Sequence, residues 1–119
     1  FVVTNESQVH ENYKDMIIKA RDIDSRVTGR STGHPVRALR NQMTKEYLQK
    51  EQEGASFEEL ELLTLGGLRK AVVEGDVKTG SVMAGQIAGM VKEKMSCHDL
   101  IQKLVKETDD LIGGKGFYE

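Results

Sequence analysis

Apolar residues recur at spacings of three and four along much of this chain, the mark of helices that bury one face. Val9, Tyr13, Met16, Ile17 and Ala20 put such a face on Gln8–Arg21. Val36, Leu39, Met43 and Tyr47 repeat the period beyond Pro35, the only proline. Proline suits a first helical position, where its missing N–H would be unpaired anyway, so the pattern predicts a helix from Pro35 to Glu53, stopped by Gly54. The segment "SFEE", Ser56 to Glu59, has the form of a capping box and opens a short helix to Leu63. Leu65, Leu68, Val72 and Val73 predict another, ended by Gly75. Ser96 and Asp99 open a last helix whose stripe, Leu100, Ile101, Leu104, Val105, Leu111 and Ile112, runs to a stop at Gly113 and Gly114.

Three stretches depart from that pattern. "FVVT" at the start is β-branched and aromatic, a strand with no partner near it in sequence, and so predicted to pair with chain that is not present. Residues 22–32 lose the helical period and read as a polar loop that Gly29 and Gly33 bracket before Pro35. In "SVMAGQIAGMV", Ser81 to Val91, the small residues Ala84, Gly85, Ala88 and Gly89 recur at a spacing of four. Glycine weakens a helix by about 1 kcal/mol relative to alanine, so this reads as a helix whose backbone something approaches closely. One terminal strand and about six helices is an odd inventory for a complete domain.

Length and charge narrow the partners. A chain of 119 residues supports one domain. A net charge of -2 creates no field that would draw in nucleic acid, and no aromatic is interleaved with the basic residues between Arg30 and Lys45 to stack on bases. Nucleic acid is therefore not an expected partner. Cys97 is alone, which rules out an internal disulfide and suits a reducing cytoplasm. The longest apolar runs, "FVV", "MII" and "AVV", fall far short of the ~20 residues of a membrane helix. The opening Phe1-Val2-Val3-Thr4 carries no initiator methionine and no signal-like segment, and reads as the interior of something longer.

Two segments could carry chemistry. In "GRSTGHPVRALRN", Gly29 to Asn41, the glycines and hydroxyls let a backbone come close to an anion at a helix entry. Arg30 and Arg37 would add charge-assisted hydrogen bonds, and His34 could donate to the same anion or act as an acid. The alternative is a polar turn opening a solvated helix on which Arg37 and Asn41 share one face and Val36 and Arg40 another. In the Ser81 to Met90 segment the choice lies between close helix packing and a backbone laid against a flat ligand. Gln86 would then offer donor and acceptor, and Met83 a soft apolar neighbour. His10, His34 and His98 are scattered without metal-ligand spacing, so no metal is expected, and His10 and His98 read as surface or cap residues. No self-sufficient catalytic constellation is present.

Taken together, "GRSTGHPVRALRN" and "LRKAVVEGDVKTGSVMAGQIAGMV" resemble the C-terminal part of the FMN-dependent enoyl-acyl-carrier-protein reductases of type II, within the nitronate monooxygenase (2-nitropropane dioxygenase-like) family. The resemblance covers nearly the whole chain, to about Leu111. It implies an α/β fold, the C-terminal part of an FMN-binding (β/α)8 TIM barrel, with this piece itself mostly helical. Residues 1–28 would be the end of the barrel, its last strand and following helix; residues 29–78 a helical subdomain beside the active site; and residues 79–119 the return to the barrel and a C-terminal helix.

By the same likeness Ser81, Met83, Gly85 and Gln86 would lie nearest FMN, and Arg30, His34 and Arg37 near a substrate or nucleotide phosphate. The family's catalytic histidine belongs to barrel strands this chain lacks, so the piece alone should not turn over. The implied reaction is reduction of a trans-2-enoyl thioester by NAD(P)H in fatty acid synthesis, with acyl carrier protein or acyl-CoA as partner, an N-terminal barrel segment supplied from elsewhere, and a homodimer in the cytoplasm. The rival within the family is a nitronate monooxygenase. From another class, the chain could be a non-catalytic helical interaction module.

Overall fold

The computed structural model describes residues 1–113; Gly114, expected to stop the last helix, lies outside them. Two compact units divide the chain: Val9–Lys92, and Phe1–Gln8 together with the chain from Glu93.

In the larger unit, α1 spans Glu11–Lys19. It begins where the His10 imidazole accepts the Asn12 N–H at 3.0 Å, which makes His10 a cap, one of the two readings its sequence left open, and ends where Ala20 turns extended. The helix is thus shorter than Gln8–Arg21 at both ends. Lys92 donates to the carbonyls of Ile18 and Ala20 at 3.3 and 2.6 Å, placing a cation at the negative end of the helix.

Val36–Leu39 is not the first turn of a helix but a strand, β2, antiparallel to β1, Ser25–Thr28, with Ser25 opposite Leu39 and Thr28 opposite Val36. The supposed polar loop 22–32 thus contains a strand, and Pro35 sits at a strand entry, another place where a missing N–H is tolerated. Pairing on both sides outweighs the helical period. The Leu39 N–H donates to the Val82 carbonyl at 2.8 Å, the Ala84 N–H donates to the Arg37 carbonyl at 3.3 Å, and Ala38 bridges Met83. Arg37 and Asn41 therefore share no helical face, and neither do Val36 and Arg40.

The helix itself, α2, begins at Gln42 and runs to Gln52. Asn41 caps it in a reciprocal box with Thr44 (3.0 and 2.9 Å), while its amide donates to the carbonyls of Val77 and Gly80 at 2.9 and 2.8 Å. Helix α3, Phe57–Thr64, starts at the expected Ser56–Glu59 box, and α4 spans Gly67–Val72. Met43, Tyr47 and Leu60 form a buried cluster with Ala55 and Leu63 against it.

The segment "SVMAGQIAGMV" is also corrected. It is extended through Val82–Ala84, where it lies along β2, and then forms a short 3-10 helix over Gln86–Met90. Two glycines and the strand-like pairing leave too little stretch for an α-helix. The close backbone approach expected there is found at Gly89, where a Cβ would stand 2.7 Å from the Asp22 nitrogen and 2.8 Å from the Arg21 carbonyl carbon.

In the smaller unit, "FVVT" is not a strand: the Thr4 N–H and hydroxyl both donate to the Phe1 carbonyl, at 3.0 and 2.7 Å, closing a turn. Helix α5, Cys97–Leu111, begins at Ser96, whose hydroxyl accepts the Asp99 N–H at 3.1 Å. The Glu6 carboxylate accepts the Cys97 N–H at 2.8 Å. Its apolar stripe is largely open, with Ile101, Leu104, Val105, Leu111 and Ile112 between 42% and 87% exposed. No helix among the described residues is long and apolar enough to cross a membrane.

Candidate functional site

Alternation along β2 sends Val36 and Ala38 to one face of the hairpin and Arg37 to the other. On the Val36 face lies an open cavity of about 370 Å3. Thr28, Val36 and Ala38 supply its hairpin wall, and Thr32 and His34 reach it from the intervening loop. Met43 and Tyr47, four apart on α2, form a second wall; Phe57, Glu61 and Thr64 of α3 and Leu68 of α4 close a third. Ser81 and Met83 complete the lining from the extended segment. Most of this surface is apolar, with hydroxyls, one imidazole and one carboxylate as the polar groups, the composition of a small-molecule site.

Ser81, Met83 and His34 are each held by contacts to neighbouring elements. Ser81 is fixed through its backbone, which donates to the Gly67 carbonyl at 2.9 Å. Met83 is fixed by its bridge to Ala38 and by Tyr13, whose hydroxyl donates to the Met83 carbonyl at 2.5 Å. The His34 ring packs at a tilt against Phe57, with centroids 6.3 Å apart.

The loop that carries Thr32 and His34 does bind an anion, but that anion belongs to the protein. The Glu51 carboxylate accepts the N–H groups of Gly29 and Ser31 at 3.1 and 3.0 Å and the Ser31 hydroxyl at 2.6 Å. Burial pushes the Glu51 carboxyl up, but the bonds from the Ser31 side chain and from both backbone N–H groups, with the charge of Arg30, bring it below its usual value. Tyr47, one turn earlier, has its phenol pushed up by burial and then by the charge of Glu51, while a hydrogen bond with Thr32 acts the other way. Gly29 has φ 81°, and a Cβ there would collide with the His34 carbonyl oxygen. Only glycine lets the loop fold back this tightly.

Of the seven residues singled out from the sequence, the cavity brings together His34, Ser81 and Met83. Gly85 and Gln86 follow directly and are exposed. Arg30 is exposed on the loop, and Arg37 points to the other face of the hairpin, where it donates to the Ser25 hydroxyl at 2.8 Å. Sequence reading missed Glu51, Phe57, Glu61 and the hairpin wall. The Met43–Tyr47–Glu51 spacing carried the signal for one helical face, but nothing in it pointed to the Gly29 loop.

The family model described as nitronate monooxygenase matches residues 1–107. The structure of FabK from Thermotoga maritima is similar over 93% of this chain and 35% of its own, at 39% identity and a TM-score of 0.87. Among curated proteins, a probable nitronate monooxygenase of Bacillus subtilis is 26% identical over 107 residues, 90% of this chain and 31% of that protein. Another from Staphylococcus saprophyticus is 25% identical over 112 residues, 94% of this chain and 31% of its own length. The chain thus spans about a third of the length of the relatives it matches.

Proposed function

The chain belongs to the nitronate monooxygenase family, with the fold of the C-terminal part of its TIM barrel, and from that premise we propose that it is part of a flavin-dependent reductase. The reaction would be reduction of trans-2-enoyl-acyl-carrier-protein by NAD(P)H in fatty acid biosynthesis. The observation that carries this reading over its rival is the likeness to FabK, an enoyl-acyl-carrier-protein reductase, at 39% identity and TM-score 0.87, against 26% for the probable nitronate monooxygenase.

The cavity is consistent with such a substrate. Val36, Met43, Tyr47, Phe57 and Leu68 offer an apolar wall to acyl carbons, while the Ser81 hydroxyl and the His34 imidazole are hydrogen-bonding groups for a thioester or phosphate. Arg30 and Arg37 would meet a phosphate outside this cavity.

The segment Ser81–Gln86 fits a flat cofactor. Met83, Gly85 and Gln86 are exposed, and a Cβ on Gly85 would meet nothing within 4 Å among the described residues, so bare peptide faces outward. When bound, FMN supplies the hydride-transfer chemistry between NAD(P)H and the enoyl thioester. Ser81, Met83, Gly85 and Gln86 would hold it, Gln86 through its amide and Met83 as an apolar contact.

Acyl carrier protein or acyl-CoA as partner, a homodimer, the remaining barrel strands from outside this sequence, and a cytoplasmic setting belong to the same proposal. The test uses the full-length protein: NADPH oxidation driven by a crotonyl thioester against oxygen uptake driven by a nitronate. Turnover of the thioester supports the reductase; activity on nitronates alone replaces it with the monooxygenase that the curated relatives' names describe.

A further inference from the structure

We infer that Glu51 is a positioning residue for the cavity, acting through the Gly29–Ser31 backbone on Thr32 and His34. The inference rests on the reading of this cavity as the substrate site. Residues 29–35 have no strand or helix of their own, so their conformation must come from specific bonds. Four are local: the Thr32 hydroxyl, the Thr32 N–H and the His34 N–H all donate to the Gly29 carbonyl, at 2.9, 3.3 and 3.1 Å, and the Gly33 N–H donates to the Arg30 carbonyl at 3.3 Å.

These close the loop on itself but do not orient it against α2. Glu51 of α2 holds it there, taking the N–H groups of Gly29 and Ser31 and the Ser31 hydroxyl on its two oxygens. A carboxylate accepting several donors makes stronger bonds than neutral acceptors do. The same helix presents Tyr47, one turn earlier, to the cavity, where its hydroxyl and Thr32 interact. The charge of Glu51 is thus spent on the loop, outside the cavity lining, while Thr32 and His34 of that loop face inward.

The test compares Glu51→Gln with Glu46→Gln in the full-length protein; Glu46 lies on the same helix, exposed, and among the described residues accepts from Gln42 alone. Amide hydrogen exchange is read at Gly29 and Ser31, and KM and kcat for a crotonyl thioester are read in the parent and in a His34→Ala background. Ser31→Ala, which removes one of the bonds, guards against failure of the first variant to fold.

Expected is faster exchange at Gly29 and Ser31 in Glu51→Gln, a weaker effect of the same kind in Ser31→Ala, and none in Glu46→Gln. KM should rise roughly 3- to 10-fold, the scale of a lost charge-assisted bond, with a smaller change in kcat, and the rise should vanish once His34 is alanine. Unchanged exchange, or a KM rise that persists undiminished without His34, overturns the inference. If the parent protein does not turn over the thioester, the reductase reading fails, and the exchange contrast alone decides the role of Glu51.

Discussion

Tyr13 and Met83 are joined by a hydrogen bond from the phenol to the main-chain carbonyl, at 2.5 Å. Tyr13 is 4% exposed, and burial pushes its phenol up while the Met83 bond acts the other way. The bond ties α1 to the edge of the cavity. Tyr13→Phe leaves that carbonyl without this donor and should destabilise the protein by about 1–3 kcal/mol. Urea denaturation checks the loss, and binding of a cavity ligand should weaken with it.

Gly89 and Gly85 should respond oppositely to alanine. At Gly89 the added Cβ meets the backbone of Arg21 and Asp22, which cannot swing aside, and a cost of about 1–3 kcal/mol follows. Gly85, with φ -78° and open space around a Cβ, should change stability by less than about 0.5 kcal/mol. If Gly85 faces the flavin, Gly85→Leu should instead reduce the flavin retained on purification, measured from the visible absorbance of the full-length protein.

Asn41 uses one side chain for two tasks, capping α2 and holding the 77–80 turn. Asn41→Asp keeps the cap acceptor and loses both donors to the Val77 and Gly80 carbonyls; Asn41→Ala loses everything. Thermal unfolding should place Asn41→Asp between the parent and Asn41→Ala, the latter down by about 1–3 kcal/mol.

Asp24 predicts an acid-sensitive step. The Arg21 side chain, then the Arg21 N–H, and then the charge of Arg40 hold its carboxyl at about 2 against an ordinary 3.8. A carboxyl depressed in the folded state contributes stability above its unfolded value and loses it as pH falls through the folded one. The contribution should be complete above pH 4 and decline towards pH 2. Urea midpoints across that window should fall more steeply in the parent than in Asp24→Asn.

His34 and Arg37 should separate. His34 lines the cavity, whereas Arg37 bonds Ser25 on the other hairpin face. His34→Ala should raise KM for the enoyl thioester several-fold, on the order of one lost hydrogen bond. Arg37→Ala should raise KM for NAD(P)H or acyl carrier only if a phosphate reaches that second face. Unchanged kinetics for both would leave Arg37 as a partner of Ser25 alone.

Local signals read true where a few neighbouring residues decide the outcome. The Ser56–Glu59 box, the Ser96 cap and the Gly54 and Gly75 stops are all set within one or two turns of chain, and all were legible. The period of Met43 and Tyr47 likewise gave the buried face of α2. Val36–Leu39 was not legible, because Val-Arg-Ala-Leu fits either period and its strand partners lie at Ser25–Thr28 and beyond Ser81.

The sequence by itself determined the helix caps at Ser56 and Ser96 and the family. Only the tertiary structure decided that the Gly29–His34 loop takes its anion from Glu51 and that Arg37 turns away from His34. Both depend on pairing between segments far apart in the chain. Residue spacing encodes a face within one element, but not which distant donor and acceptor will meet once the backbone groups of each must be satisfied.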